Sequence, residues 1–537
     1  MFEGTFKNHC QEDSVPPSLL GLVGMILNPI SLEANHLPIQ AALTVAQLLQ
    51  FNVAVKSTHS DVVRHTKKRE PPLPMYIGLS THARTRKKDI VENMHALGLS
   101  ISYARVLELS TEICHKSIDL FEKEKCVCPP SLKCGLFTTA AVDNLDHNPS
   151  STTSTESFHG TGISIFQHPS PDCCGTPRTT PAVTTVSSNK SLTVPCLPLA
   201  YTAVLPAALH SQQPDVPSCS SVLAQSMVKP DRLVSAVHFQ DKGWLAHVQE
   251  TAGEHSDSSS VVTGDLNLSW AAYHANSSAN VDERQVAISS LLPLFTEDSK
   301  SVAMLLHSMN VILSSVRVLN GDQAPVIAVD QPLFALCKLI QWNWPQKYGE
   351  DKFVIMFGAF HIEQAWLRLL GKWMQGCGWT DVMVECGIAT AGVAESLLSV
   401  SHVTRARHAH EVTAAALHML LMSAYNTANS ADSFDAWCHL RCTENVQFHY
   451  WFICFKLQMI LLVFVGSIRE GNFDIFLECL KQMIPWFFAM DNVHYSRWLP
   501  IHLRDMLKLE SHNPLVHQHF KKGCFVVHKT NHKFSAI

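Results

Sequence analysis

The chain combines short apolar runs, which are typical of buried strands, with longer stretches of helical periodicity. The β-prone runs lie at residues 136–142, 158–167, 325–329, 352–360 and 523–529. Helical spacing predicts helices over 39–51 and 285–318, and little except helical periodicity appears between residues 364 and 510. We therefore predict an α/β fold with a mixed sheet, joined to a large all-helical insertion or second domain.

Carboxylates follow two of the predicted strands at the point where each strand ends. Asp143 comes directly after TTAAV, and Asp330 comes directly after PVIAV. If the two strands are neighbours, the aspartates lie side by side at one sheet edge, where like charges favour a shared proton or bound divalent cations. The pattern predicts Mg²⁺ (or Mn²⁺), held by carboxylates and substrate phosphates, for in-line displacement at phosphorus.

Two further acids are candidates for the same site. Asp146 is a weaker first acid, which serves as a second metal ligand or as a turn residue. Glu363 lies 33 residues after Asp330, near the start of the helix predicted after strand 352–360. In ribonuclease H-like nucleases and transposases, two strands each end in an aspartate and a later helix supplies a third acid. The same order here predicts catalytic roles for Asp143, Asp330 and Glu363. The alternative makes the aspartates caps of turns or helix starts, and Glu363 a solvated charge.

The length and the charge limit the class of protein. The 537 residues predict two to four domains. A net charge of −5 gives no global attraction to nucleic acid, so such binding requires a local patch. Seventeen scattered cysteines predict reduced thiols in an intracellular protein, nuclear or cytoplasmic and not secreted. The apolar segment 451–468 contains Lys456 and Gln458, so we predict a buried helix and no membrane partner.

Other sites of chemistry have weaker signals. Two groups of residues have the side chains that zinc prefers, but neither has the paired CxxC spacing, so zinc is not expected. These groups are Cys126, Cys128 and Cys134, and Cys438, His439 and Cys442. The chain has no phosphate-binding loop of the GxxxxGK[ST] or GxGxxG type, which removes the main signal of nucleotide-hydrolysing and dinucleotide-binding proteins.

A basic stretch precedes a predicted helical hairpin. Eight Lys or Arg and one acid lie between residues 64 and 88. Gly98 breaks the first helix of the hairpin, and Ser100 or Ser102 caps the second. Such a helix–turn–helix-like segment predicts DNA binding. If the protein distinguishes DNA sequences, the helix from Ser102 is the element predicted to contact the bases. The predicted phosphate contacts are Arg84, Arg86, Lys87 and Lys88. The alternative is a solvated linker followed by an ordinary hairpin.

Changes in composition divide the chain into segments. Between residues 169 and 284 the sequence becomes rich in Ser, Thr and Pro, which predicts a flexible excursion from the core. The predicted divisions are 1–72 (helical or linker), 73–128 (hairpin), 129–168 and 285–363 (the two parts of the core), 169–284 (excursion), 364–512 (helical domain) and 513–537 (a C-terminal strand of the core).

Four stretches resemble a family of uncharacterised, multicopy proteins of animal genomes that are derived from DNA transposons. They read FTTAAVDNLDHNPSSTTSTESFHGTGISIFQ, PVIAVDQPLFALCK, HVTRARHAHEVTAAAL and YSRWLPIHLRDM. The resemblance runs from about residue 73 to the end of the chain. It implies a ribonuclease H-like core of the transposase type, and it does not itself assign the chemistry.

The same resemblance leaves the third acid open. Related chains continue past a strand like GCFVVHK into a helix that carries a His-Glu-Gln-Asn cluster, whereas this chain stops at Ile537. If that glutamate is the third acid, residues 364–510 are a helical insertion, Glu363 is a bystander and this chain is catalytically incomplete.

The leading prediction is thus a transposase-derived DNA-binding protein with a two-metal phosphoryl-transfer site. A non-catalytic remnant of a transposase, which binds nucleic acid through residues 64–88, is the alternative. DNA is the predicted partner, and a homo-oligomer is compatible with the sequence.

Overall fold

The computed structural model describes residues 9–27, 40–53, 70–147, 158–178, 193–212, 214–218, 242–251, 269–277 and 285–530. The chain forms two compact units. The first comprises Met1–Leu132 and Pro177–Ala203, and the second comprises Lys133–Thr176 and Val204–Ile537. The second unit contains the sheet and both aspartates that the sequence singles out.

The described part of the first unit is helical. Its helices are α1 (Cys10–Ser14), α2 (Pro17–Leu27), α3 (Gln40–Asn52), α4 (Pro72–Thr85), α5 (Lys88–Ala96), α6 (Tyr103–Glu124) and α7 (Leu199–Thr202). Phe51 and Met75 pack in one core with Val91, Val106 and Leu109. This core joins α3 to the hairpin, so the segments on either side of the predicted division at residue 72 belong to one compact unit.

The predicted break and cap of the hairpin are confirmed. Gly98 has φ of +71°, a left-handed conformation that glycine adopts without strain, and it follows the end of α5. The Ser102 side chain accepts a hydrogen bond from the Arg105 backbone N–H, which is the ordinary N-cap arrangement for α6.

A five-stranded mixed sheet, in the order β3-β2-β1-β4-β5, organises the second unit. β1 pairs antiparallel with β2 on one side and parallel with β4 on the other, and β5 continues the parallel half. The strands are β1 (Phe137–His147), β2 (Phe158–His168), β3 (Ile288–Leu291), β4 (Val326–Val329) and β5 (Val354–Phe357). The predicted mixed α/β class is therefore confirmed.

Two strand predictions need correction. β1 does not end at Val142, because its antiparallel pairing with β2 continues to His147 and carries the backbone through Asp143. β3 lies inside the stretch 285–318 that was predicted to be helical. Its residues alternate between half-buried and exposed positions and pair with the edge of β2, whereas the helix begins only at Val302.

Helices cover the sheet and form the block after it. They are α8 (242–251), α9 (Trp270–Ser277), α10 (Val302–Leu319), α11 (Gln331–Asn343), α12 (Pro345–Tyr348), α13 (Ala359–Met374), α14 (Trp379–Glu385), α15 (Ala391–Leu398), α16 (Val403–Ala428), α17 (Phe434–Glu444), α18 (Val446–Glu470), α19 (Phe473–Ala489), α20 (Val493–Leu507), α21 (Leu509–His512) and α22 (Pro514–Lys521). The helical periodicity predicted after residue 364 is confirmed.

Two of these helices are long and apolar enough to cross a membrane by length and composition. In α10 half of the apolar window is buried inside the protein, and in α18 the buried share is 78%. Core helices of soluble proteins pass the same test, so the result by itself assigns no membrane.

The described residues bear on two segment predictions. The Ser/Thr/Pro-rich stretch 169–284 contributes α7, α8 and α9, and Trp244 and Trp270 are each only 1% exposed. The flexibility of this stretch stays a prediction. Residues 523–529 form a turn, a bend and irregular backbone after α22 and not the predicted strand, and Gly523 has φ of +88°. A backbone hydrogen bond from the Ala287 N–H to the His528 carbonyl at 2.8 Å reaches the residue before β3.

A glycine in α13 allows close packing against the end of α15. A Cβ at Gly371 would lie 2.1 Å from the Leu398 carbonyl oxygen. We expect Gly371→Ala to lower the free energy of unfolding by about 1–3 kcal/mol through this overlap, although alanine ordinarily favours a helix over glycine by about 1 kcal/mol. Urea unfolding would measure the change. Gly392→Ala in α15, where nothing lies within 4 Å, is the control and should be neutral or stabilising; equal effects would contradict the prediction.

Candidate functional site

The two strand aspartates occupy matching positions on neighbouring strands. The parallel pairing of β1 with β4 aligns Thr139 with Val326 and Ala141 with Ala328. Asp143 lies two residues after Ala141, and Asp330 lies two residues after Ala328, the last aligned pair. The predicted adjacency of the two strands is therefore confirmed, and both aspartates lie at the carboxyl end of the parallel pairing.

Asp330 also begins a helix. It is the N-cap of α11, and its Oδ1 accepts a hydrogen bond from the Leu333 backbone N–H at 3.0 Å. This is the capping role that the sequence left open beside the metal role. The side chain is half-buried, and a cap uses only one carboxylate oxygen, so capping does not preclude a metal contact.

Asp143 is exposed on β1 and its Oδ1 accepts the Asn144 backbone N–H at 2.9 Å. In the antiparallel half of the sheet it faces Gly162 of β2. Asp146 pairs with His159 farther along the same ribbon. The Asp146 side chain lies outside the part of the protein that the structure describes, so its predicted metal role has no described geometry.

Glu363 points into the protein. It lies in α13, as the sequence predicts, but only 4% of it is exposed, so the alternative of a solvated helix charge is wrong. Its Oε1 accepts a hydrogen bond from Arg407 Nε of α16 at 2.7 Å. A buried glutamate on the inner side of α13 packs against the helical block, where its charge is matched by an arginine.

Asp143 and Asp330 are the two carboxylates that the described part of the chain brings to this end of the sheet. Within the described residues, no group of three or more His, Cys, Asp or Glu lies close enough together to hold a metal ion. Two carboxylates still fit Mg²⁺, because that ion binds oxygen and typically uses one or two protein carboxylates. The cysteines proposed for zinc are not assembled into such a group either, and burial raises the pKa of Cys128 and of Cys438 to about 12.

Helices far along the chain complete the surroundings of Asp330, and the sequence did not predict them. The Gly358 N–H donates to the Val329 carbonyl at 2.8 Å, which fixes the start of α13 beside Asp330. The Tyr495 hydroxyl of α20 donates to the His361 carbonyl at 3.0 Å. Burial raises the pKa of Tyr495 to about 12, with Asp330 adding to the rise and Arg368 opposing it. The only sequence signal for this tyrosine was its place in YSRWLPIHLRDM.

The predicted DNA contacts of the first unit lie at the junction of α4 and α5. Arg86 has φ of +55° and ends α4, and all four predicted contacts, Arg86 among them, are exposed. Among the described residues none of them forms an ion pair. They are Arg84, Arg86, Lys87 and Lys88. The helix from Ser102 is less suited to read bases, because Arg105, its first basic residue, is buried and paired with Glu70 at 3.0 Å.

Comparison with protein families gives a match over the second half of the chain. A family model described as a domain of unknown function, DUF8702, matches residues 269–439 and 430–537. These matches together span half of the chain, and they include β3, β4, β5, Asp330 and Glu363. No curated protein and no solved structure matches the chain.

Proposed function

The chain belongs to the DUF8702 family, a domain of unknown function, and we propose that this protein is a transposase-derived, DNA-binding protein with a metal-dependent phosphoryl-transfer site. The observation that carries the proposal is the matched position of Asp143 and Asp330 on neighbouring parallel strands. A ribonuclease H-like core is part of the proposal. It is supported by a mixed sheet whose central strand, β1, pairs antiparallel on one side and parallel on the other.

Asp143 and Asp330 would hold Mg²⁺ (or Mn²⁺) through carboxylate oxygens, with substrate phosphate completing the shell. When bound, the ion neutralises negative charge on the phosphate oxygens of the scissile group. The chain itself contributes orientation, since the sheet holds Asp143 and the cap of α11 holds Asp330. Glu363 is excluded from our ligand set, because Arg407 already matches its charge.

The test is metal-dependent cleavage of DNA by the full chain and by Asp143→Asn and Asp330→Asn. Asparagine caps helices as well as aspartate does, so Asp330→Asn separates the metal role from the capping role. Each variant should unfold at the temperature of the parent and reduce Mg²⁺- or Mn²⁺-dependent cleavage to the level seen with EDTA. Asp322→Asn, at an exposed aspartate in the turn before β4, is the matched control and should retain activity.

Full activity in either substituted protein would overturn the catalytic role of that aspartate. A parent that binds DNA and never cleaves it would favour the second candidate, a non-catalytic DNA-binding protein. That candidate rests on the four exposed cations of the α4–α5 junction, which form no ion pair with any residue that the structure describes. In that case the double substitution Lys87→Gln/Lys88→Gln should abolish most of the binding, and the aspartate variants should leave it intact.

A further inference from the structure

The solvent face of α13 carries an aromatic and cationic stripe that starts beside the proposed site. Within α13 the exposed residues are Phe360, Arg368 and Lys372, and half-buried Gln364 lies between them at the same four-residue spacing. Ala359, His361 and Trp373 are half-buried as well, and no acid of α13 is exposed. Glu363, the acid of this helix, is on the buried face and is paired with Arg407. The stripe covers about 18 Å at the usual helical rise.

The first residue of this stripe is an exposed phenylalanine next to the sheet edge. Phe360 is 53% exposed and lies two residues after Gly358, whose N–H bonds the Val329 carbonyl immediately before Asp330. The Phe360 ring contacts the neighbouring His361 ring edge-to-face, with 5.9 Å between the ring centroids. Its flat face suits a nucleic-acid base, because stacking on an aromatic side chain is available to every unpaired base.

The two cations of the stripe, Arg368 and Lys372, suit the phosphates of a nucleic-acid strand whose base stacks on Phe360. Arg368 and Lys372 form no ion pair with a carboxylate in the described part of the chain. Tyr495 of α20 is held at the base of the stripe by its bond to the His361 carbonyl, and its ring lies 5.4 Å from that of Phe357 at the end of β5. The surface is therefore fixed to the strand end that bears Asp330.

We infer that this face of α13 is a track for single-stranded DNA, in which Phe360 stacks on a base while Arg368 and Lys372 contact the backbone that leads to Asp143 and Asp330. The path of the DNA strand toward Asp143 and Asp330 rests on the proposed function. The binding of DNA to α13 rests on the charges and the aromatic ring of the stripe. An unpaired strand is required, because the bases of a duplex are stacked on each other and are not available to Phe360.

The experiment measures binding of a fluorescein-labelled single-stranded DNA oligonucleotide to the full chain by anisotropy, in EDTA, over a series of salt concentrations. We expect Phe360→Ala to weaken binding roughly ten-fold with an unchanged salt slope, since stacking releases no counterions. Arg368→Gln and Lys372→Gln should each reduce the slope of log K against log salt by about 0.7, as expected for one lost phosphate contact on a single strand.

Matched controls make the outcome specific. Arg441→Gln removes an exposed arginine from α17 and should bind as the parent does. Equal binding by the parent, Phe360→Ala and Arg368→Gln would overturn the inference. Tighter binding of duplex DNA or single-stranded RNA than of single-stranded DNA would also overturn it. Complete loss of binding in Lys87→Gln/Lys88→Gln would do the same. A parent that binds in this pattern without cleaving DNA would remove the catalytic proposal and leave the track.

Discussion

Lys338→Met is expected to lower the free energy of unfolding of the second unit by about 3–5 kcal/mol, the usual cost of removing one partner from a buried ion network. Lys338 is only 1% exposed in α11. Its Nζ lies 2.9 Å from Glu350 Oε1 and 2.9 Å from Asp505 Oδ2. Without the lysine, Arg504 is the cation that still pairs with the carboxylates of Glu350 and Asp505.

The protonation of Glu350 reflects the same balance. Burial raises the pKa of this carboxyl, but Lys338 and Arg504 outweigh burial and leave the pKa below its ordinary value of 4.5. A carboxyl whose pKa is lowered by folding stabilises the protein above pH 4.5, and this contribution is lost as the pH falls through the folded value. Lys338→Met should therefore weaken the loss of stability on acidification as well as lower stability at pH 7.

Urea unfolding at pH 7 and at pH 4 would measure both effects. Lys352→Met is the control, because this lysine is exposed near the start of β5 and its loss should change stability by less than about 0.5 kcal/mol. A change below 1 kcal/mol in Lys338→Met would show that the network does not hold α11 and α20 together.

Glu363→Gln is expected to destabilise the second unit by about 3 kcal/mol, because Arg407 then lacks its matching charge. Only 5% of the Glu363 side chain and 18% of the Arg407 side chain are exposed, so water replaces the lost interaction poorly. The double variant Glu363→Gln/Arg407→Gln should recover part of the loss, since it removes the unmatched arginine charge. Urea unfolding of the four proteins completes a double-mutant cycle.

The same variant decides whether Glu363 is the third acid. If it has only the structural role given to it here, Glu363→Gln should retain metal-dependent DNA cleavage at a temperature where the variant is still folded. Loss of cleavage with unchanged stability would contradict this role and restore Glu363 to the catalytic set. The third acid would then come from α13, and Arg407 would have to release the carboxylate.

The sequence by itself determined the elements whose signals are local. The β-branched runs before Asp143 and Asp330 predicted β1 and β4, and the Ser102 cap predicted the start of α6. These signals are readable because side-chain periodicity, glycine conformation and N-caps involve residues within a few positions of one another. The similar apolar composition of β1 and β4 is typical of strands buried in the middle of a sheet. The sequence left their adjacency as a condition of the site, and the structure shows that they pair in parallel.

Only the tertiary structure decided which face each acid presents and what partner it meets. Glu363 turned inward because Arg407, 44 positions later, packs against α13. β1 continued past Asp143 because β2 offered eleven pairing residues, and Tyr495 reached the sheet edge from more than 130 residues away. Such contacts depend on strand register and helix packing over the whole unit. A pattern of neighbouring residues contains no record of them, so the sequence predicted two aspartates at the ends of neighbouring strands without fixing their surroundings.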